Sequence, residues 1–234
     1  MSGVVCAIHQ PNFFPWLGYF DKIRRADRFV FLDAADYPRA GSGGMGSFTN
    51  RVKLVIAGEP RWVGAPVRRL SLGAAINTAL VDDSQPWRAK LMRSLEGSYS
   101  KAPRYAQTMA FLEPLVVNGE SGLAALNMNA IRAIAERLGL TTRFLRQSEL
   151  SAAGAATELL ISLVRAAGAE VYLAGGGAGA YQDDDAFGAA GIDLRYQGFV
   201  PAPYGPPGRF TPGLSVIDYL MFDGRPLAEA FPDG

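Results

Sequence analysis

His9 is the only histidine in the chain, and it stands where the apolar run Val4-Val5-Cys6-Ala7-Ile8 gives way to Gln10-Pro11-Asn12. An imidazole takes or gives a proton near neutrality, because its ordinary pKa is roughly 6.5. Gln10 and Asn12 add neutral groups that can donate to a carbonyl or phosphate oxygen. Asp33 closes a second apolar run, Phe29-Val30-Phe31-Leu32, as His9 closes the first. A carboxylate at such a strand end serves as a base or a metal ligand, or simply caps the strand, so His9 and Asp33 are the catalytic candidates. Asn50-Arg51 is the next pair. A guanidinium fork binds a carboxylate or phosphate bidentately while the neighbouring amide orients the substrate, the alternative being a structural ion pair of Arg51 with Asp33. Tyr181 and Asp183 are read as substrate contacts at the rim.

Other patterns carry less. Cys6 and His9 are three residues apart and face opposite sides of an alternating strand, which excludes a thiolate–imidazole pair. One histidine and one cysteine cannot build a zinc cluster; only Asp-based Mg²⁺ sites remain, and no metal is assigned. The run Gly175-Gly176-Gly177-Ala178-Gly179-Ala180 matches the relaxed dinucleotide pattern G-x-G-x-x-A. Asp183, Asp184 and Asp185 open the following helix, however, and would repel a pyrophosphate. The glycines are read as a turn closing over a pocket, and the cofactor is left unknown.

The elements that must position these residues alternate in type. A strand from Val4 to Ile8, a polar and aromatic loop His9 to Phe14, a helix from Pro15 and the strand Phe29 to Leu32 form a βαβ unit with parallel neighbouring strands. In that helix Leu17, Phe20 and Ile23 make the apolar face against Asp21, Lys22, Arg24 and Arg25. Residues 33 to 50 are rich in Gly and Ser, and Ala40 to Ser47 is predicted to be a mobile lid. Val52 to Ile56 and Arg61 to Val67, around the turn Gly58-Glu59-Pro60, predict a hairpin or edge ribbon.

Helices follow over Pro86 to Tyr99, Pro103 to Val117 and Ser121 to Leu138, the last stopped by Gly139. Then come strand Thr142 to Leu145, helix Thr157 to Ala167, strand Glu170 to Leu173, helix Asp183 to Ala190 and strand Asp193 to Tyr196. A proline- and glycine-rich segment, Pro201 to Pro212, leads to a helix over Ser215 to Phe222. Strands alternating with helices predict an α/β fold. The expectation is a single domain, 1–234, with a mainly parallel sheet, flanking helices and a helical middle segment inserted at about 84–139.

Composition narrows the function classes. The 234 residues, 49% hydrophobic, suffice for a sizeable core, and 23 basic against 22 acidic residues give a net charge of +1. That balance carries no nucleic-acid footprint. A lone cysteine implies no oxidising compartment, and no apolar run approaches the length of a membrane span or a cleavable export signal; the expected location is the cytoplasm, with no membrane insertion.

The opening stretch Ile8-His9-Gln10-Pro11-Asn12-Phe13-Phe14-Pro15-Trp16-Leu17-Gly18-Tyr19-Phe20-Asp21-Lys22-Ile23 closely resembles the start of WbqC-like proteins. The resemblance continues through Asn50-Arg51-Val52-Lys53, Trp87, Lys101-Ala102-Pro103, Ser148-Glu149-Leu150, Tyr172-Leu173 and Pro212-Gly213-Leu214-Ser215-Val216-Ile217-Asp218, so it covers practically the whole chain. It implies a role in bacterial surface-polysaccharide (O-antigen) or small-molecule, natural-product biosynthesis. Two departures stand out: the Gly/Ser-rich Ala40 to Ser47, and Leu91, where relatives often carry a histidine shortly after the tryptophan matched by Trp87.

From residues and resemblance together, the expected function is a transferase that passes an acyl or aminoacyl group to an amine or amino-sugar acceptor. Its substrate would be a small molecule or carrier-linked, and its oligomeric state is open. Two alternatives stand beside it. A strand, a His-bearing loop and a helix are similar to nucleotidylyltransferases of the HIGH type, although the two-histidine signature is missing. The other is a non-catalytic binding or scaffold protein. One pocket is expected to gather His9, Gln10, Asn12, Asp33, Asn50 and Arg51.

Overall fold

Side-chain alternation builds the central sheet of this protein, whose computed structural model describes residues 3–38, 48–176 and 182–231. Strand β1 (Val5–His9) sends Cys6 and Ile8 to one face and Ala7 to the other; strand β2 (Arg28–Phe31) sends Val30 to the first and Phe29 and Phe31 to the second. Both faces are therefore covered. Helix α1 (Leu17–Arg24) lies between β1 and β2 in the chain and packs Phe20 and Ile23 onto the Phe29 face. Each such fully buried side chain contributes about 1.5–3 kcal/mol of apolar transfer.

The ribbon β3 (Arg51–Ile56) and β4 (Glu59–Gly64) is antiparallel and stands apart from the main sheet. Pro60 sits opposite Val55 at its edge, where a missing N–H is tolerated. Helices α2 (Trp87–Tyr99), α3 (Tyr105–Val116) and α4 (Leu123–Arg137) form the middle of the chain, and Leu95, Leu112 and Ile131 join the same core as Phe29 and Phe31. Strand β5 (Arg143–Arg146), helix α5 (Ala156–Ala166), strand β6 (Val171–Ala174), helix α6 (Asp184–Ala189) and strand β7 (Asp193–Tyr196) complete the alternation. Leu163 and Val164 of α5 and Phe187 of α6 cover the Cys6 face. Helices α7 (Val216–Phe222) and α8 (Leu227–Ala230) close the described chain.

The expectation of an α/β domain with a mainly parallel sheet is met. All five strands of the main sheet are parallel, in the order β5-β2-β1-β6-β7. From β1 the chain builds outward through β2 to β5, then crosses back to lay β6 on the other side of β1. That reversal between β1 and β6 is the topological switch point, outside whose carboxyl ends doubly wound sheets leave a crevice. Among the described residues no helix is long and apolar enough to cross a membrane.

Boundaries differ in ways that matter for chemistry. β1 runs on to include His9, paired with Phe31, because the parallel ladder continues one residue past the apolar run. The helix expected from Pro15 starts at Leu17, since Trp16 is drawn into an antiparallel bridge with Ser215. Phe14, just before it, has a left-handed φ of 38°, unusual for an aromatic residue. Ser215 Oγ donates to the Phe14 carbonyl at 2.6 Å and holds this turn. Helix α8 has no counterpart in the sequence reading, its four residues being too few for a periodic signal.

Candidate functional site

At the switch point a cavity of about 840 Å³ opens. The end of β1 supplies His9 and Gln10, the inner face of α1 supplies Tyr19 and Lys22, and Gly175 and Gly176 form the floor after β6. Trp16, Gln197 and Phe199 close the side. Its size suits a small molecule or part of one, and its lining is apolar with a few convergent polar groups.

The Gln10 carbonyl organises the polar end. Tyr19 Oη donates to it at 2.9 Å, and His9 Nδ1 lies 3.2 Å from it. A carbonyl only accepts, so Nδ1 carries the ring proton and Nε2 holds the lone pair. The imidazole is half-buried and rests 4.8 Å, centroid to centroid, from the Tyr19 ring. Burial, and then the nearby Lys22 ammonium, push its pKa down to about 3, against a small upward pull from the Gln10 carbonyl. This corrects the expectation of an imidazole poised near neutrality: near pH 7 His9 is a neutral acceptor.

Lys22 is the residue that sequence reasoning missed. It was placed on the polar face of α1, but it is only 3% exposed. Its Nζ donates to the Ile8 carbonyl at 2.8 Å, and burial pushes its pKa down to about 8. The thiol of Cys6, pushed up to about 12 by burial, supplies no counter-charge. Among the described residues no carboxylate pairs with Lys22, and a cation so placed in a cleft is a functional-site signature. α1 is buried almost all round because Gln197 Nε2 reaches across to the Gly18 carbonyl at 2.7 Å and the Asp21 carboxylate at 2.8 Å, drawing the segment after β7 over it. No periodicity within α1 reports that cover.

The His9 shift sets a testable pH dependence. Below about pH 6.5 the unfolded chain takes up a proton that the folded chain refuses until about pH 3. His9 therefore removes stability as pH falls through that window, by at most about 1.4 kcal/mol per pH unit. His9→Gln should gain stability relative to the native protein between pH 6.5 and 4, read as the difference between their melting temperatures. A difference that stays constant over that range would mean the ring titrates normally.

The remaining candidates go elsewhere. Asp33 is 0% exposed and both its oxygens are engaged: Oδ2 accepts from Arg146 Nε and Nη2 at 3.2 Å and Ser148 Oγ at 2.7 Å, and Oδ1 accepts from the Ser148 amide at 3.0 Å. It straps the end of β2 to the end of β5, and Arg146, not Arg51, is its ionic partner. Asn12 is buried, and its Oδ1 has no hydrogen-bond partner among the described residues. The adjoining Pro11 carbonyl is held by Asn127 Nδ2 of α4 at 2.8 Å, a polar side chain four residues after Leu123 on the buried stripe. Asp183 is exposed ahead of α6 and its amide donates to Thr157 Oγ1; its neighbour Gln182 lines the cavity instead. Tyr181 and the segment Ala40 to Ser47 lie outside the described residues.

Asn50 and Arg51 line a second cavity of about 670 Å³, between the β3–β4 ribbon and the start of α2, that shares no lining residue with the first. The expected single pocket is thus two, because the ribbon carrying Arg51 docks against α2 and not at the sheet edge. Leu91 also faces this second cavity. Phe48 joins the two walls, its ring 5.2 Å from Trp16 of the first and 5.4 Å from Trp62 of the second. Among the described residues no group of three or more His, Cys, Asp or Glu side chains could hold a metal ion.

The profile of the WbqC-like protein family matches residues 10–229. The chain is 30% identical over 221 residues to the uncharacterized protein Rv1507c of Mycobacterium tuberculosis, covering 92% of each chain. No solved structure matches.

Proposed function

The chain belongs to the WbqC-like protein family, and we propose that it is a biosynthetic transferase working in the cavity at the β1–β6 crossing. A substrate would set an anionic group against Lys22 and the first turn of α1, where an ammonium and a helix N-terminus both favour negative charge. The observation that carries this reading is the meeting of His9, Gln10 and the buried Lys22 in one cavity at the switch point.

The anion also changes His9. The Lys22 charge is one of the two causes that hold its pKa down, and an anion beside that charge offsets it. The imidazole then moves part of the way back up, burial still holding it below its ordinary value. In transfer of an acyl or aminoacyl group, an amine or amino-sugar nitrogen attacks the acyl carbon, the bond to the leaving group breaks, and the amine proton passes to His9 Nε2. The Gln10 amide, from the same cavity lining, would donate to the developing oxyanion. His9→Gln keeps the volume but cannot take that proton, so turnover should fall by roughly 10²–10⁴ with folding intact. A folded variant with a near-native rate would remove His9 from the chemistry.

The strand order favours a second reading. A sheet that reverses at its first strand, with a pocket at the reversal, is the arrangement that binds nucleotides, and it suits nucleotidyl transfer. Nucleotide binding that His9→Gln or Lys22→Met weakens, with no acyl product formed, would favour this reading; ligand binding without turnover on any substrate would favour a scaffold.

A further inference from the structure

A third, smaller cavity of about 210 Å³ lies beside the His9 cavity, and Trp16, Gly18 and Phe199 line both. The two therefore meet at the start of α1. Gly18 keeps that junction clear, since a β-carbon there would stand 3.0 Å from Phe199 Cδ1 and 3.1 Å from Trp16 Nε1. Beyond it Tyr204, Phe210, Leu17 and Leu214 supply the walls, and among the described residues no charged side chain lines them. The Tyr204 hydroxyl is engaged: it donates to Asp218 Oδ1 at 3.0 Å. Arg209 grips the same carboxylate through Nη1 at 2.9 Å and Nη2 at 2.6 Å, which ties the segment carrying Tyr204 and Phe210 to α7. The bridge between Trp16 and Ser215 holds the opposite side. Walls fixed by contacts of the fold itself lower the ordering cost of binding.

Resting on the acyl-transfer reading of the His9 cavity, we propose that this neighbouring cavity receives the apolar tail of the acyl donor, whose reacting end lies beside His9. An apolar cavity of about 150 Å³ holds one benzene ring, so this one has room for a chain of about six to eight carbons. A sugar or nucleobase would bring polar edges to side chains that, among the described residues, offer only the Trp16 N–H and the Thr211 hydroxyl besides the engaged Tyr204. Polar groups buried without partners are penalised. Each methylene moved out of water strengthens binding about threefold to fourfold, and that gain should stop once the chain fills the space.

The test is calorimetric titration of the full chain with butyrate, octanoate and decanoate, the carboxylate standing in for the reacting end of the donor. Octanoate should bind roughly a hundredfold more tightly than butyrate, and decanoate no better than octanoate. Gly18→Ala closes the junction, so octanoate should fall to the level of butyrate while butyrate is unchanged. Thr211→Phe fills the cavity from a half-buried position and should do the same, which keeps the test intact if the Gly18 variant misfolds. Lys22→Met should weaken both acids by one factor and preserve their ratio. Equal affinity for butyrate and octanoate in the native protein, or a chain-length ratio that survives in the folded variants, would overturn the assignment. So would octanoate binding that ignores Lys22→Met, because the carboxylate would then lie outside the His9 cavity. The expected pattern without any acyl product would uphold the chain site and sink the transfer reading alone.

Discussion

Replacing Lys22 with Met is expected to lower turnover by roughly 10²–10³ while leaving the protein folded. The ammonium is held in the cavity wall by a 2.8 Å hydrogen bond to the Ile8 carbonyl, and burial depresses its pKa to about 8, so near pH 7 it is mostly charged. A fixed positive charge in a poorly solvated cleft stabilises a bound anion far more than it would in water. Methionine keeps the length of the side chain and removes the charge, and with it the cost of burying that charge. The sign of the stability change follows. The folded pKa lies below the ordinary value of 10.5, so the cost is fully present below about pH 8 and is relieved as pH rises from about 8 to 10.5. Melting curves of the variant at pH 7 should match or exceed the native ones, and the native protein should gain on the variant above pH 8. Normal turnover in Lys22→Met would assign the ammonium to the fold alone.

The largest expected loss of stability comes from Asp33→Ala, at about 1–3 kcal/mol. Removing the carboxylate takes one of two carboxylate partners from Arg146, which keeps Glu149 Oε1 at 3.0 Å, and leaves the Ser148 amide and hydroxyl without their acceptor. Urea denaturation should show an earlier midpoint with an unchanged slope. Asp33→Asn separates this strap from a base in the reaction. Asparagine can still accept from Ser148 but cannot neutralise Arg146, so its midpoint should fall as well, by a smaller amount. Full stability combined with lost turnover in Asp33→Asn would return Asp33 to the chemistry.

Asp33 and Lys22 also mark what the sequence made legible. The apolar runs that became β1 and β2, and the polar residues at their ends, were readable because a strand needs only local alternation. The parallel order was readable from the alternation of strands and helices. The partners of Asp33 were not, since Arg146 and Ser148 lie 113 and 115 residues further along. Lys22 follows the polar face of its helix in every local respect; its Nζ turns instead to the Ile8 carbonyl of β1, 14 residues back, while Gln197 reaches the same helix from 179 residues beyond Gly18. Asn50 and Arg51 were readable as a candidate pair, but the cavity they line depends on where a two-stranded ribbon docks, and no residue in the ribbon encodes that alone.

The staple between Ser215 and Phe14 bears on how the protein is made. The left-handed turn before α1 is held by a hydroxyl 201 residues away, and β1 gains its β6 neighbour only when Val171 and its successors are present. At about 5–20 residues per second, synthesis separates Phe14 from Ser215 by roughly 10–40 s. During that time β1 and β2 can pair, but the far edge of β1 stays open, a row of unsatisfied amides and carbonyls beside apolar side chains. The nascent chain therefore carries the apolar strand β1 with one edge unprotected until the second half of the sheet emerges.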